Sequence, residues 1–238
     1  DHIEQREPQQ ILFMNANKIR LLDRNGILRQ VLQKRNVYAI PENFLRLLMR
    51  VFGLPYKGKV TGTDLLVALL QDAEAHGHRV YFLGAKEEVA QALFRKLQQE
   101  YPRLQIAGFR NGYFSREEEK GVVHDIQETK PDILFVGMGS PEQEIWIYRH
   151  IKELNVPVAI SVGGSFNVLA GYVRKTPVFM QYGFEWLFRF LQYPRSKFDQ
   201  LIISALYLLY KAAVFGHPRL VFDGRSRKSK SSSLTDRS

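Results

Sequence analysis

Three times along this chain a short run of aliphatic, β-branched and aromatic residues ends in glycine and passes directly into a helical pattern. Residues 79–83 end at Gly84, residues 133–136 at Gly137 and Gly139, and residues 157–162 at Gly163-Gly164. Strands with apolar side chains at nearly every position are covered on both faces. Strands separated by helices run parallel, because the helix carries the chain back to the starting edge. Residues 11–14, 37–40 and 104–107 are shorter apolar runs of the same kind. The expected architecture is α/β: a parallel sheet with helices on both faces.

In such a sheet, ligands bind beyond the carboxyl ends of the strands. The stretch 136–147, VGMGSPEQEIWI, lies at one of those ends. Gly137 and Gly139 allow a tight turn and a close approach of backbone to a ligand. Ser140 suits an N-cap, Pro141 the first helical position and Gln143 the third. Free N–H groups at that helix start would suit a phosphate. The same letters also spell an ordinary capping box with no ligand implied. Gly163 and Gly164 open a second glycine turn. Asn15, Asn17 and Glu42 stand at the ends of the two early strands. A carboxylate just past a strand end is well placed for proton transfer, and is equally favoured there as a first-turn helix acid.

Helical patterns link the strands. Residues 44–53 close on Gly53, and residues 60–77 have Thr63 as the expected N-cap. Residues 86–100 are stopped by Tyr101-Pro102, Ser115-x-x-Glu118 opens a helix to about Thr129, and residues 143–154 form the next.

A chain of 238 residues, 45% hydrophobic, suits one large domain or one domain with an appendage. With no cysteine, disulfides, thiolate zinc sites and cysteine nucleophiles are excluded. The six histidines are scattered, form no HExxH pair and read as surface residues, so no metal is expected. There is no G-x-G-x-x-G opening a helix, no Walker lysine and no Asp-x-Asp loop, and no cofactor is expected. The chain opens on Asp1 rather than methionine, as expected of a protein whose N-terminal part has been removed.

The net charge of +10 is unevenly placed: residues 171–238 hold 12 Lys+Arg against 4 Asp+Glu, residues 1–170 hold 22 against 20. The basic excess suits an acidic partner such as anionic lipid or a pyrophosphate. Nucleic acid is not expected, because no folded recognition motif accompanies the basic tail. Residues 172–198 mix aromatics with arginines, and residues 201–215 form a helix apolar nearly all round. At 15 residues it is shorter than the roughly 18 of a membrane span. It suits the membrane interface or a homo-oligomer contact, or else completes the core. Residues 224–238 are Ser- and Lys/Arg-rich, a composition that stays disordered.

Six motifs follow one another in a recognisable order: VTGTDL (60–65), VYFLGA (80–85), YP then GYF (101–102, 112–114), VGMGSPEQE (136–144), VGGSFNVLAG (162–171) and GFEWLFR (183–189). Together they resemble the WecG/TagA/CpsF family, the family 26 bacterial glycosyltransferases. The resemblance covers residues 11–198. It implies a Rossmann-like core at 1–180, a C-terminal helical membrane-associating appendage at 181–218 and a disordered basic tail at 219–238. It further implies inverting, metal-independent transfer from a UDP-sugar donor to a polyprenyl-pyrophosphate-linked glycan acceptor. The implied location is peripheral, on the cytoplasmic face of the bacterial inner membrane.

Carried over by position, the family's Pro-Asp-Gly base motif is Pro41-Glu42-Asn43 here, which makes Glu42 the expected base. Thr-x-Asn becomes Asn15-Ala16-Asn17, with Asn15 departing and Asn17 matching. An arginine becomes Lys59. Gln143 and Glu144 match, Phe-Asp becomes Phe166-Asn167, and Arg-Ala-Pro becomes Lys175-Thr176-Pro177. The implied catalytic set is Glu42, Lys59 and Asn15. Asn17, Thr63, Gly137, Gly139, Gln143, Gly163, Gly164 and Asn167 would bind substrate, with Arg174, Arg189 and Arg195 at the membrane or acceptor. The alternative is a site degenerated into a sugar-nucleotide or lipid-pyrophosphate binding module, since a glutamate in place of the aspartate shifts the carboxylate by one methylene.

Overall fold

The computed structural model of the chain describes residues 2–42, 45–46, 49–50, 53 and 60–174. In chain order the elements are α1 (His2–Gln5), β1 (Gln9–Met14), α2 (Ala16–Leu22), α3 (Gly26–Leu32), β2 (Val37–Pro41), α4 (Gly62–His76) and β3 (Arg79–Gly84). Then follow α5 (Glu87–Glu100), β4 (Gln105–Arg110), α6 (Glu119–Thr129), β5 (Ile133–Gly137), α7 (Glu142–Leu154), β6 (Val158–Ser161) and α8 (Ser165–Leu169). All six expected strands are present. Of the helix expected at 44–53, residues 45–46 and 49–50 are helical. The appendage at 181–218, with its motif at 183–189 and its apolar helix at 201–215, and the tail at 219–238 lie outside the described residues.

The strands form one sheet in the order β2-β1-β6-β5-β3-β4, and every neighbouring pair is parallel. Each connection must cross a face, and the right-handed rule decides which one. The moves from β1 to β2, β4 to β5 and β5 to β6 run toward the β2 edge, so α2, α3, α6 and α7 share a face. The moves from β2 to β3 and β3 to β4 run the other way and put α4 and α5 on the opposite face, where α8 joins them. The packing agrees: α7 touches α6 and α3, and α8 touches α4 and α5.

The alternation of side chains along a strand splits the core in two. Val80, Phe82, Ile133, Phe135 and Ile160 pack with Leu66, Leu70, Leu93, Leu97 and Phe166. Tyr81, Leu83, Leu134, Val136 and Ala159 pack with Val122, Ile126, Trp146, Ile147 and Ile151. A third cluster of Leu12, Met14, Ile19, Val31 and Leu45 covers the carboxyl half of β1.

Helix ends follow local chemistry, with two shifts from expectation. The N-cap of α4 is Thr61, not Thr63: the Thr61 hydroxyl oxygen accepts from the Asp64 N–H at 3.1 Å and donates to the Asp64 carboxylate at 2.7 Å. Thr63 is buried in the first turn instead. The Ser115–Glu118 box makes both of its bonds, each side chain accepting from the other residue's backbone N–H, but in the turn before the helix: α6 starts at Glu119, its N-cap is Glu118 and no side chain caps it.

At the carboxyl ends of β3 and β5 the connections diverge, α5 to one face and α7 to the other, which ordinarily opens a ligand crevice. Here backbone occupies it. The Ala85 N–H donates to the Gly137 carbonyl and the Gly112 N–H to the Ala85 carbonyl, both at 3.0 Å. Gly84 has φ of 139° and lies against Gly137, where a Cβ would sit 2.5 Å from the carbonyl carbon. Gly84→Ala is expected to destabilise the fold by about 2 kcal/mol or more, from overpacking and a φ that side chains resist. Gly121→Ala, at an exposed position in the first turn of α6 with open space around it, should stabilise by about 0.5 kcal/mol. Urea unfolding of the two variants checks both signs.

Candidate functional site

A further divergence lies at the ends of β1 and β6, from which α2 and α8 leave toward opposite faces. Along this edge β1 sits between its two partners, with Met14 opposite Pro41 and Leu12 opposite Ser161. Asn15 therefore stands between Glu42 and the Gly163-Gly164 turn. The Glu42 N–H donates to the Met14 carbonyl at 2.8 Å, which ties the end of β2 to the end of β1. The Asn15 side chain works in two directions. Its Oδ1 accepts from the Lys18 N–H at 2.9 Å as the N-cap of α2, and its Nδ2 donates to Glu42 Oε1 at 3.4 Å. The cap thereby fixes which end of the amide faces the carboxylate. The Glu42 carbonyl also accepts from the Arg46 N–H at 3.0 Å, so Glu42 occupies a helix start as well as a strand end.

Behind this pair is a buried polar cluster. Lys18, on α2, is 3% exposed, and Glu144, on α7, is 0% exposed. The Lys18 ammonium lies 2.8 Å from Glu144 Oε1 and donates to the Phe13 carbonyl at 2.6 Å. Gln143 Nε2 donates to the same Glu144 oxygen at 2.7 Å, and the Ser140 hydroxyl donates to the other at 2.8 Å. The backbone carbonyl of Glu144 accepts from Gln10 Nε2 at 2.9 Å. Gln143 Oε1 accepts from the Gly163 N–H at 3.2 Å.

This cluster changes how the 136–147 stretch works. Helix α7 begins at Glu142, its N-cap is Pro141, and no side chain caps it. Ser140 and Gln143 turn to the Glu144 carboxylate, because a buried charge needs donors more than a solvated helix end does. The Gln143 N–H donates to the Gly139 carbonyl at 2.9 Å. Gly137 is needed for packing: a Cβ there would meet the Phe166 ring at 2.7 Å. Gly139 and Gly164 are exposed, and a Cβ on either would face open space. Gly163, with φ of 53°, turns the chain so that its N–H meets Gln143.

Thr63 joins the edge from α4, its hydroxyl donating to Ser165 Oγ at 3.4 Å. Asn167 is half-buried in α8, its carbonyl accepting from the Val173 N–H at 3.0 Å. Asn17 Oδ1 accepts from Arg20 at 2.8 Å. Arg174 is exposed just past α8. Lys59, Arg189 and Arg195 lie outside the described residues. Farther along the edge, hydrogen bonds from Asn111 and Gln91 hold the Glu87 carboxyl below its usual range. In β3, burial pushes the Tyr81 hydroxyl up. Among the described residues, the metal-ligating side chains that gather are Asp72, His76 and His78, at the opposite edge of the sheet. They are surface groups there, and His76 Nδ1 already faces the Asp72 carbonyl at 3.0 Å.

The sequence profile of the Glycosyl transferase WecG/TagA/CpsF family matches residues 1–218. The chain belongs to that family. This agrees with the resemblance carried by the six ordered motifs. A relative from Bacillus spizizenii (strain ATCC 23059 / NRRL B-14472 / W23) is 32% identical over 171 residues, covering 71% of this chain and 64% of the relative. One from Staphylococcus aureus (strain MRSA252) is 38% identical over 138 residues, covering 58% of this chain and 54% of the relative. Both are named N-acetylglucosaminyldiphosphoundecaprenol N-acetyl-beta-D-mannosaminyltransferase. The matched regions thus span between half and two thirds of the length of these relatives.

Reading by motif missed Lys18. A lysine on a short helix carries no pattern of its own, and only the burial of Glu144 gives it a role. The two duties of Asn15 are separable. Asn15→Ala removes the cap and should cost about 1 kcal/mol in chemical denaturation. Asn15→Asp keeps a good cap but faces Glu42 with a like charge, so stability should stay closer to the parent while any function of Glu42 falls.

Proposed function

We propose that this chain is an inverting, metal-independent glycosyltransferase. It moves a sugar from a UDP-sugar to a polyprenyl-pyrophosphate-linked acceptor sugar in bacterial cell-surface polysaccharide synthesis. The observation that carries the reading is the Glu42 carboxylate, held at the strand end by Asn15 on the same sheet edge as the turns that follow β5 and β6. The names of the relatives support an N-acetylglucosaminyl-diphosphoundecaprenol acceptor and an N-acetylmannosaminyl donor group.

The donor diphosphate lies over the Gly139 and Gly164 turns, where backbone can approach and the start of α4 meets that of α8 at Thr63 and Ser165. Asn17 and Asn167 reach the sugar or uridine, and Gln143 acts by holding the Gly163 turn. Glu42 accepts the proton of an acceptor hydroxyl as its oxygen bonds to the anomeric carbon from the face opposite the diphosphate. The bond from that carbon to the phosphate oxygen breaks, and UDP leaves with the electron pair. Inversion follows from the single displacement. Lys59, Arg174, Arg189 and Arg195 stabilise the developing phosphate charge or hold the lipid pyrophosphate. No helix among the described residues is long and apolar enough to cross a membrane. The lipid-linked acceptor favours a peripheral location at the cytoplasmic face of the inner membrane, with the basic C-terminal segment meeting anionic headgroups.

Two measurements test this reading. UDP in EDTA should raise the melting temperature as much as UDP with Mg²⁺ does; stabilisation only with Mg²⁺ sinks the metal-independent mechanism. Glu42→Gln should lower kcat for UDP release in the presence of a polyprenyl-pyrophosphate sugar by about 10²- to 10⁴-fold, the usual contribution of a general base. Full turnover by that variant removes Glu42 from the base role. UDP binding with no transfer by the parent protein would instead identify a binding module.

A further inference from the structure

A run of hydrogen bonds, joined in its middle by the Lys18 side chain itself, crosses the candidate site. It starts at Glu42 Oε1, passes through the Asn15 side chain to the Lys18 N–H, and continues from the Lys18 ammonium to Glu144 Oε1. From there it runs through Gln143 to the Gly163 N–H. Ser140 joins through the second Glu144 oxygen, and Phe13 and Gln10 tie Lys18 and Glu144, in the middle of the run, to β1. The two turns on the donor side and the carboxylate on the acceptor side are thus attached to one buried ion pair. We propose that Lys18 and Glu144 are positioning residues for the reaction, setting the Ser140 and Gly163 turns relative to Glu42 without touching substrate.

Three features support a positioning role over a purely stabilising one. Burying two charges is costly, and a well-packed apolar pair of similar volume is often equally stable or more so. An ion pair in this location is therefore weak evidence of stabilisation. Its remaining bonding capacity is directed at the site: Glu144 accepts from Gln143 and Ser140, and each of these sits in or beside a glycine turn. The pair also links α2 to α7, the elements that leave β1 and β5. Positional errors of about 1 Å at a reacting centre are enough to cost roughly 100-fold in rate.

The inference rests on the glycosyltransferase reading for its kinetic arm, and the test has a second arm that does not. Lys18→Met with Glu144→Gln removes both charges together and leaves no lone buried ion. Glu144→Asp keeps the charge but withdraws it by one methylene from Ser140 and Gln143. Both variants are expected to fold, as seen by far-UV circular dichroism. In hydrogen exchange, peptides covering 138–144 and 162–167 should lose protection at least about tenfold, while those covering β3 and α5 stay at parent values. In turnover, the KM for the UDP-sugar should rise about tenfold or more, because the donor-side turns are displaced, and kcat should fall with it, because those turns are displaced relative to Glu42. A folded double variant with parent protection in both turns and parent KM overturns the proposal. So does a uniform loss of protection throughout the sheet, which marks the pair as merely structural. If the parent protein shows neither UDP binding nor transfer, the glycosyltransferase reading fails and the exchange result alone decides whether the pair sets the turns. If the double variant does not fold, the same exchange and KM criteria applied to Glu144→Asp decide it.

Discussion

A buried ammonium facing a buried carboxylate constrains the carboxyl edge of this protein more than any other contact. Glu144 is sealed from solvent, so its oxygens must find donors inside the protein. It finds three, from Lys18, Gln143 and Ser140, and each comes from a different stretch of chain or a different part of one turn. The geometry of the β5 turn, the seat of α2 and the position of the Gly163 turn follow from that demand. Removing one partner would leave an uncompensated charge in a closed interior, so the groups move as a set or not at all.

The sheet explains why the set gathers where it does. Six parallel strands send helices to both faces, and open edges arise where neighbouring connections part. Several such partings exist, and two of them contrast. At β3 and β5, backbone packs against backbone where Gly84 meets Gly137 and Gly112 meets Gly84, and a Cβ on Gly137 would strike the Phe166 ring. At β1 and β6 the parting carries polar side chains instead: Asn15, Glu42, Thr63 and the Gln143 brace. Glycine closes one parting and polar bonding shapes the other.

Much of the fold was legible beforehand. Apolar runs marked all six strands, because a parallel strand is buried on both faces and cannot hide its composition. The Ser115–Glu118 box made both of its bonds, since they are local, although the helix begins one turn later. The identical logic failed at Ser140 and Gln143. Their local partners lost to a buried carboxylate one or four residues away, whose burial no window of sequence displays. Thr63 and Thr61 were exchanged as caps for a related reason. Two threonines two residues apart are alike on paper, and the packing of Thr63 against Ser165 selects Thr61 for the helix end.

The amino-acid sequence on its own determined the alternation of strand, turn and helix, the parallel sheet, the family and the placement of Asn15 and Glu42 at strand ends. These depend on periodicity and on neighbours within a few residues, and the chain carries both in order. Tertiary structure decided which residues share a site. Lys18 and Glu144 are far apart in sequence and meet because right-handed crossovers put α2 and α7 on one face and the pairing of β1 with β6 makes them neighbours there. It also turned Gln143 into a brace and Gly137 into a packing position, since desolvation and close contact arise only once the distant elements are in place.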